Sequence, residues 1–160
     1  MAYELKVDGM AEISRLLERM EQQAPAVAAQ ALYEGAGIMA DEIRKNAASI
    51  STEPFHYERD GQRLPSPEEK EIVMAASAGI AKFDKNGAEV NTSVGYRNAG
   101  YATLAGKKKP IPQIVNAINS GTSFMKKQPF VRKAASAAGA KATAAMRDKI
   151  EKAFEDMTKQ

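Results

Sequence analysis

The sequence predicts an α+β fold: a small antiparallel sheet carrying a β-hairpin, framed by a long N-terminal helix and a long C-terminal helix. Apolar residues recur in three- and four-residue steps over 10–46 and again over 129–157, the period of amphipathic helices. Between them, 80–96 alternates around Asn86-Gly87, a pair that tolerates the positive φ of a tight hairpin turn. With 160 residues, 44% of them hydrophobic and 27% charged, the chain has the length and composition of one soluble domain with its own core. No internal repeat or second domain boundary is visible, so 1–160 reads as a single unit.

Tyr3, Leu5 and Val7 alternate with polar residues and suit a short strand ended by Asp8-Gly9. From Met10 the period changes: Ile13, Leu16, Leu17 and Met20 form a helical row to about Gln23. Pro25 suits the first turn of a second helix, carried to about Asn46 by Val27, Ala31, Ile38, Met39 and Ile43; the alternative is one long helix kinked at Pro25. Residues 47–66 show no period and read as a long loop. Ser66-Pro67-Glu68-Glu69 is a helix start, with serine as N-cap, proline in the first position and glutamate three residues after the cap. That helix runs to about Ala78, with Gly79 placed to end it. The predicted hairpin joins Ile80–Phe83 to Ala88–Tyr96 through the turn Asp84-Lys85-Asn86-Gly87, and Val90, Thr92 and Val94 supply its inner face. A second long loop is expected at about 97–112. A short helix over Pro112–Asn119 follows, with Ile114, Val115 and Ile118 apolar, ending at Ser120-Gly121. The last helix starts near Pro129, and its row is Val131, Ala135, Ala138, Ala142, Met146, Ile150, Phe154 and Met157.

The second helical segment is rich in small residues: Ala28, Ala29, Ala31, Gly35, Ala36, Gly37 and Ala40. A glycine costs about 1 kcal/mol against alanine inside a helix, so Gly35 and Gly37 call for an offset. One reading is close approach of another backbone, from a neighbouring subunit. The other is tight packing on the domain's own sheet. Gly35-Ala36-Gly37 follows no strand and lacks the third glycine of a dinucleotide loop.

Little in the sequence asks for catalysis or a cofactor. There is no cysteine, so neither disulfides nor thiolate metal sites are available and stability rests on packing. The single histidine, His56, cannot form a paired zinc site, and a serine relay through it would lack the usual nucleophile elbow. Glu68, Glu69 and Glu71 read as first-turn carboxylates favoured by the helix N-terminus rather than as an acid/base pair. Gly106-Lys107-Lys108 lacks the upstream glycine and the hydroxyl residue of a phosphate loop. The net charge of +3 is modest. Lysines 107, 108, 109, 126 and 127 are the residues a nucleic-acid contact would use, although no aromatic interleaves with them along the chain. No apolar run reaches the roughly 20 residues that span a bilayer, and MAYELKVDGM lacks the order of a signal peptide, so synthesis in a cytoplasm is expected.

Gly121-Thr122-Ser123-Phe124-Met125, followed by Gln128-Pro129-Phe130-Val131-Arg132-Lys133-Ala134, resembles the C-terminal signature of the minor tail-component family of long-tailed double-stranded DNA phages, the tail-completion or head-tail joining proteins. Val7-Asp8-Gly9-Met10 is similar to that family's lead into its first helix, and Val94-Gly95 and Tyr101-Ala102 look like its strand-end pairs. The chain departs from the family after Lys45-Asn46-Ala47, where only Gly61-Gln62-Arg63-Leu64 resembles the usual segment, and Lys133 replaces a frequent proline. The resemblance implies a non-enzymatic structural virion protein of the tail or neck, made in the bacterial cytoplasm. It would assemble as a homo-oligomeric ring, often of six subunits, between tail and head, with neighbouring neck, head-completion, tail-tube or terminator proteins as partners. No cofactor, metal or membrane is implied. Candidate interface residues are Gly35 and Gly37; Lys107, Lys108 and Lys109; and Gly121, Thr122, Phe124, Lys126, Pro129, Phe130 and Arg132. For the opening turn of the last helix, the residues support two roles side by side. Gly121, Pro129 and Phe130 position the helix, while Thr122, Phe124, Lys126 and Arg132 are available for contact.

Overall fold

The computed structural model describes residues 10–53, 61–82, 84–86 and 89–159. The expected strand at Tyr3–Val7 and His56 lie outside them. Element order is α1 Met10–Ala48, α2 Pro67–Ala76, β1 Gly79–Ile80, β2 Asp84–Asn86, β3 Glu89–Asn91, β4 Val94–Gly95, β5 Tyr101–Leu104, β6 Lys107–Pro110, α3 Ile111–Ser120 and α4 Phe130–Thr158. The α+β architecture with long first and last helices is as the sequence predicts.

The two helical segments on either side of Pro25 are one 39-residue helix, about 58 Å long at 1.5 Å per residue. Proline at this position removes the bond to the Glu21 carbonyl, but the helix continues on both sides. α4, with 29 residues, runs back antiparallel along α1. Asn46 Nδ2 donates to the Phe130 carbonyl at 3.4 Å at one end, and Glu34 meets Lys149 at 3.8 Å further along. Small residues let the two axes approach. Ala31, Ala36, Ala40 and Ala47 are buried on α1, and Ala134, Ala138 and Ala142 on α4. Gly35 is roofed by Met146, whose Cγ and Sδ stand 2.8 Å from where a Cβ would be. Gly35 thus packs against the chain's own last helix and needs no second subunit to account for it, while Ala40 lies in the core cluster against which Ile80 and Val94 of the strands pack. Gly37 has open space at its Cβ position.

The inner row of α4 differs from the expected one. It starts at Phe130 and steps by four through Ala134, Ala138 and Ala142, whereas Ala135 is exposed and Val131 half-buried. Phe130 sits in the core with its ring edge-on to Tyr96, centroids 6.3 Å apart, and this anchor sets which face turns inward.

α2 carries the predicted capping box. Ser66 Oγ accepts from the Glu69 amide at 3.1 Å, and the Glu69 carboxylate accepts from the Ser66 amide at 2.8 Å. The helix ends at Ser77, with φ +45°, and not at Gly79, which belongs to β1. β1 pairs with β4 (Ile80 opposite Val94) and β2 with β3 (Asn86 opposite Glu89), so Asp84–Asn86 is strand rather than turn. The connection at 87–88 lies outside the described residues. Between the two ladders the register shifts by one residue, bridged by the Ala81 amide donating to the Ser93 carbonyl at 2.8 Å.

The expected loop at 97–112 is mostly a second hairpin, β5–β6, leading directly into α3. Leu104 faces Lys107, leaving Ala105 and Gly106 as a two-residue turn with φ +49° and +75°, the sign at both positions that a type I′ turn requires. The sequence conceals this turn because Ala-Gly is not its usual composition and lysines are uncommon in strands.

The core lies where the last third of α1, α2, β5, α3 and the start of α4 converge. Ile43, Val73, Leu104, Ile114, Ile118 and Phe130 are buried in one cluster there. The other end of α1 stands outside it.

Candidate functional site

The turn between α3 and α4 is held by backbone and side-chain bonds over most of its length. Gly121, at φ +77°, closes α3 by donating to the Ala117 carbonyl at 2.9 Å. A Cβ there would stand 3.0 Å from the Lys127 Cβ, so both the conformation and the space favour glycine. Thr122 Oγ1 accepts from the amides of Phe124 (3.2 Å) and Met125 (3.0 Å), a hydroxyl turn that drops Met125 into the core. The Gln128 amide donates to the Ile118 carbonyl, and the Gln128 side chain exchanges two bonds with the Ser51 backbone at 2.9 and 2.8 Å. Asn119 Oδ1 accepts from the Val131 amide at 3.1 Å. Pro129 is the N-cap residue of α4.

A second segment clamps this turn. The Arg63 amide donates to the Phe124 carbonyl at 2.8 Å, and the Lys126 amide to the Arg63 carbonyl at 2.9 Å. Arg63 then reaches to α2, where both of its terminal nitrogens meet the Glu69 carboxylate at 2.6 Å. Glu69 is 4% exposed. Burial alone pushes its carboxyl upward, but the Arg63 and Ser66 hydrogen bonds, with the charges of Arg63 and Lys109, hold it below the ordinary value. This clamp was not legible beforehand: the sequence marks Glu69 as a cap, but nothing local assigns Arg63 to it.

The Arg63–Glu69 pair lies near both lysine groups. The Arg63 backbone holds Lys126, and the Glu69 carboxylate feels Lys109 on β6. Lys107, Lys108 and Lys109 are all exposed on β6, opposite Leu104, Thr103 and Ala102. Lys108 Nζ lies 5.1 Å over the ring of Tyr101, itself 64% exposed. One lysine and one aromatic residue that are apart in sequence therefore meet on the hairpin. Phe124 is 70% exposed beside Lys126, on a turn whose backbone is fixed from both sides.

The candidate interface residues thus separate into two sets. Gly121, Pro129, Phe130 and Gly35 serve the fold, and Phe130 is buried. Thr122, Phe124, Lys126, Arg132 and Lys107–Lys109 are exposed; Gly37 is half-buried and unobstructed. Among the described residues no cluster of acidic residues, histidine or cysteine could hold a metal ion, and no helix is long and apolar enough to cross a membrane. Comparison of the chain with protein-family models, curated proteins and solved structures gives no match.

Proposed function

We propose that the protein is a structural virion subunit, a tail-completion or head-tail joining protein that assembles as a ring between phage tail and head. The observation that carries this reading is the Gly121–Ala134 turn, the stretch on which the family resemblance rests. Its backbone is fixed by the Arg63 clamp and the Gln128 bonds, while Phe124, Lys126 and Arg132 stand outside. A rigid turn that exposes a large aromatic residue suits binding with little ordering cost. No catalytic step is proposed; the work is binding energy spread over repeated contacts between copies and with neighbouring neck or tail proteins. Electron micrographs of particles assembled without the protein test it: tailless heads beside free tails support a joining role, abnormally long tails a length-terminating one, and normal infectious particles would refute both.

The Lys108–Tyr101 pair favours a second reading, a basic nucleic-acid-binding surface formed by β5–β6 and the 121–128 turn. It predicts DNA or RNA affinity that falls steeply with salt, and a shallower slope when Lys107, Lys108 and Lys109 are changed to glutamine. Absence of binding at low salt would dismiss it.

A further inference from the structure

α1 is longer than the helix that covers it. The pair runs from Asn46 near Phe130, through Gly35 beneath Met146, to Gln23 and Val27 near Met157, and α4 ends at Thr158. Residues 10–22 therefore project beyond α4 by about 20 Å of helix. This projection carries the apolar row Ile13, Leu16, Leu17 and Met20, which continues the row that Val27 and Ala31 place along α4. Ile13 is 52% and Leu17 59% exposed. Leu16 and Met20, on the same row, are half-buried. Scattered apolar exposure is ordinary, but a row at helical spacing that α4 does not reach is a seam open to a partner.

We propose that the projecting end of α1 docks on the same segment of a second copy, antiparallel, about a two-fold axis passing between Leu16 and Leu17. Steric and charge relations single out this occupant. α4 occupies the same face of α1 from about residue 23 onward, so a parallel pairing would drive two copies of α4 into one space. An antiparallel pairing sends the two bodies to opposite ends. At 100° per residue, Glu12 and Arg19 stand on one flank of the apolar row and Ser14 and Glu21 on the other. A two-fold axis across an antiparallel pair sets each flank against its own counterpart, reversed in direction. Glu12 of each copy then lies beside Arg19 of the other, and Glu21 beside Ser14, with no like charges opposed. Glu12 and Arg19 are both exposed.

Two rows of four apolar residues bury less than the ~1,200 Å² at the lower end of stable interfaces, so this association is weak and concentration-dependent. A two-fold contact cannot propagate around a cyclic ring, whose contacts are head-to-tail. The contact therefore belongs to the free subunit and does not rest on the ring reading.

The absence of native cysteine makes single cysteines clean reporters of this geometry. In the antiparallel pair, Leu17→Cys brings the two thiols together across the axis, as does Leu16→Cys. Ile13→Cys separates them by about 10 Å along it, beyond disulfide reach. Under mild oxidation the position-16 and position-17 variants are expected to give covalent dimers while Ile13→Cys does not. In sedimentation equilibrium, Glu12→Lys and Arg19→Glu each weaken the wild-type dimer about fivefold, the scale of exposed ion pairs, and the double exchange restores it. Equal cross-linking at positions 13 and 17 would mean parallel pairing and overturn the proposal. A wild-type chain that stays monomeric at millimolar concentration would also overturn it, and would give the row to the chain's own first nine residues or to another protein.

Discussion

Glu69 accepts three hydrogen bonds while 4% exposed, two from Arg63 and one from the Ser66 amide. Glu69→Gln leaves the shape but removes the charge that Arg63 meets, and a loss of about 2–3 kcal/mol is expected by urea denaturation at neutral pH. Because the folded-state carboxyl is held below its ordinary 4.5, its contribution is complete above that value. It disappears as pH falls through the lower, folded-state value. The gap between wild type and Glu69→Gln should therefore narrow with acidification below 4.5; a gap independent of pH would disprove the assignment. Tyr96 poses the opposite case. Its hydroxyl is buried without a hydrogen-bond partner, and burial pushes its ionisation above the usual range against the opposing charge of Arg44. Tyr96→Phe keeps the ring against Phe130 and is expected to be neutral or to stabilise by about 1 kcal/mol in the same titration. Gly35 and Gly37 should respond differently to alanine. Gly37→Ala gains up to about 1 kcal/mol of helix propensity in open space, whereas Gly35→Ala must displace the Met146 thioether and gains less or loses. Thermal melts of the two variants decide this.

Between elements, the decisive contact is α1 against α4, where alanine rows replace the large apolar residues usual in helix pairs. At the buried alanines such a seam leaves little room for a larger side chain. Ala138→Leu is expected to cost about 2–3 kcal/mol by forcing the helices apart, while Ala137→Leu, one position round and exposed, changes stability by less than about 0.5 kcal/mol. The helices themselves were readable because periodicity survives in the sequence. Their faces were less so: alanine is apolar enough to continue a row on either side, and only Phe130, lodged against Tyr96, selects the row 130, 134, 138 and 142. The β5–β6 hairpin is hidden in the sequence for a related reason. A strand of three consecutive lysines is viable at this edge because its side chains remain in solvent, and that condition is set by the fold rather than by the residues.

For the whole molecule, the core gathers around α2, β5, α3 and the start of α4, and the exposed lysines of β6 and the 121–128 turn lie on the elements next to it. If the 121–128 turn is an assembly contact, Phe124→Ser should leave the melting temperature within about 2 °C, since a side chain 70% exposed contributes little to folding. It should nonetheless reduce the yield of joined particles in a complementation assay; unchanged particle yield would remove Phe124 from the interface. Local chemistry was sufficient for the helix start at Ser66, the glycine turn at Gly121, the two long helices and the α+β class, because caps, turn residues and periodicity act over a few neighbouring positions. Tertiary structure alone decided that Arg63 clamps Glu69 and the last turn, that Gly35 lies under Met146, and that the lysines of β6 and the turn lie near the Arg63–Glu69 pair. Each of these joins residues that no sequence period relates, and each depends on side chains brought together only after the helices have packed.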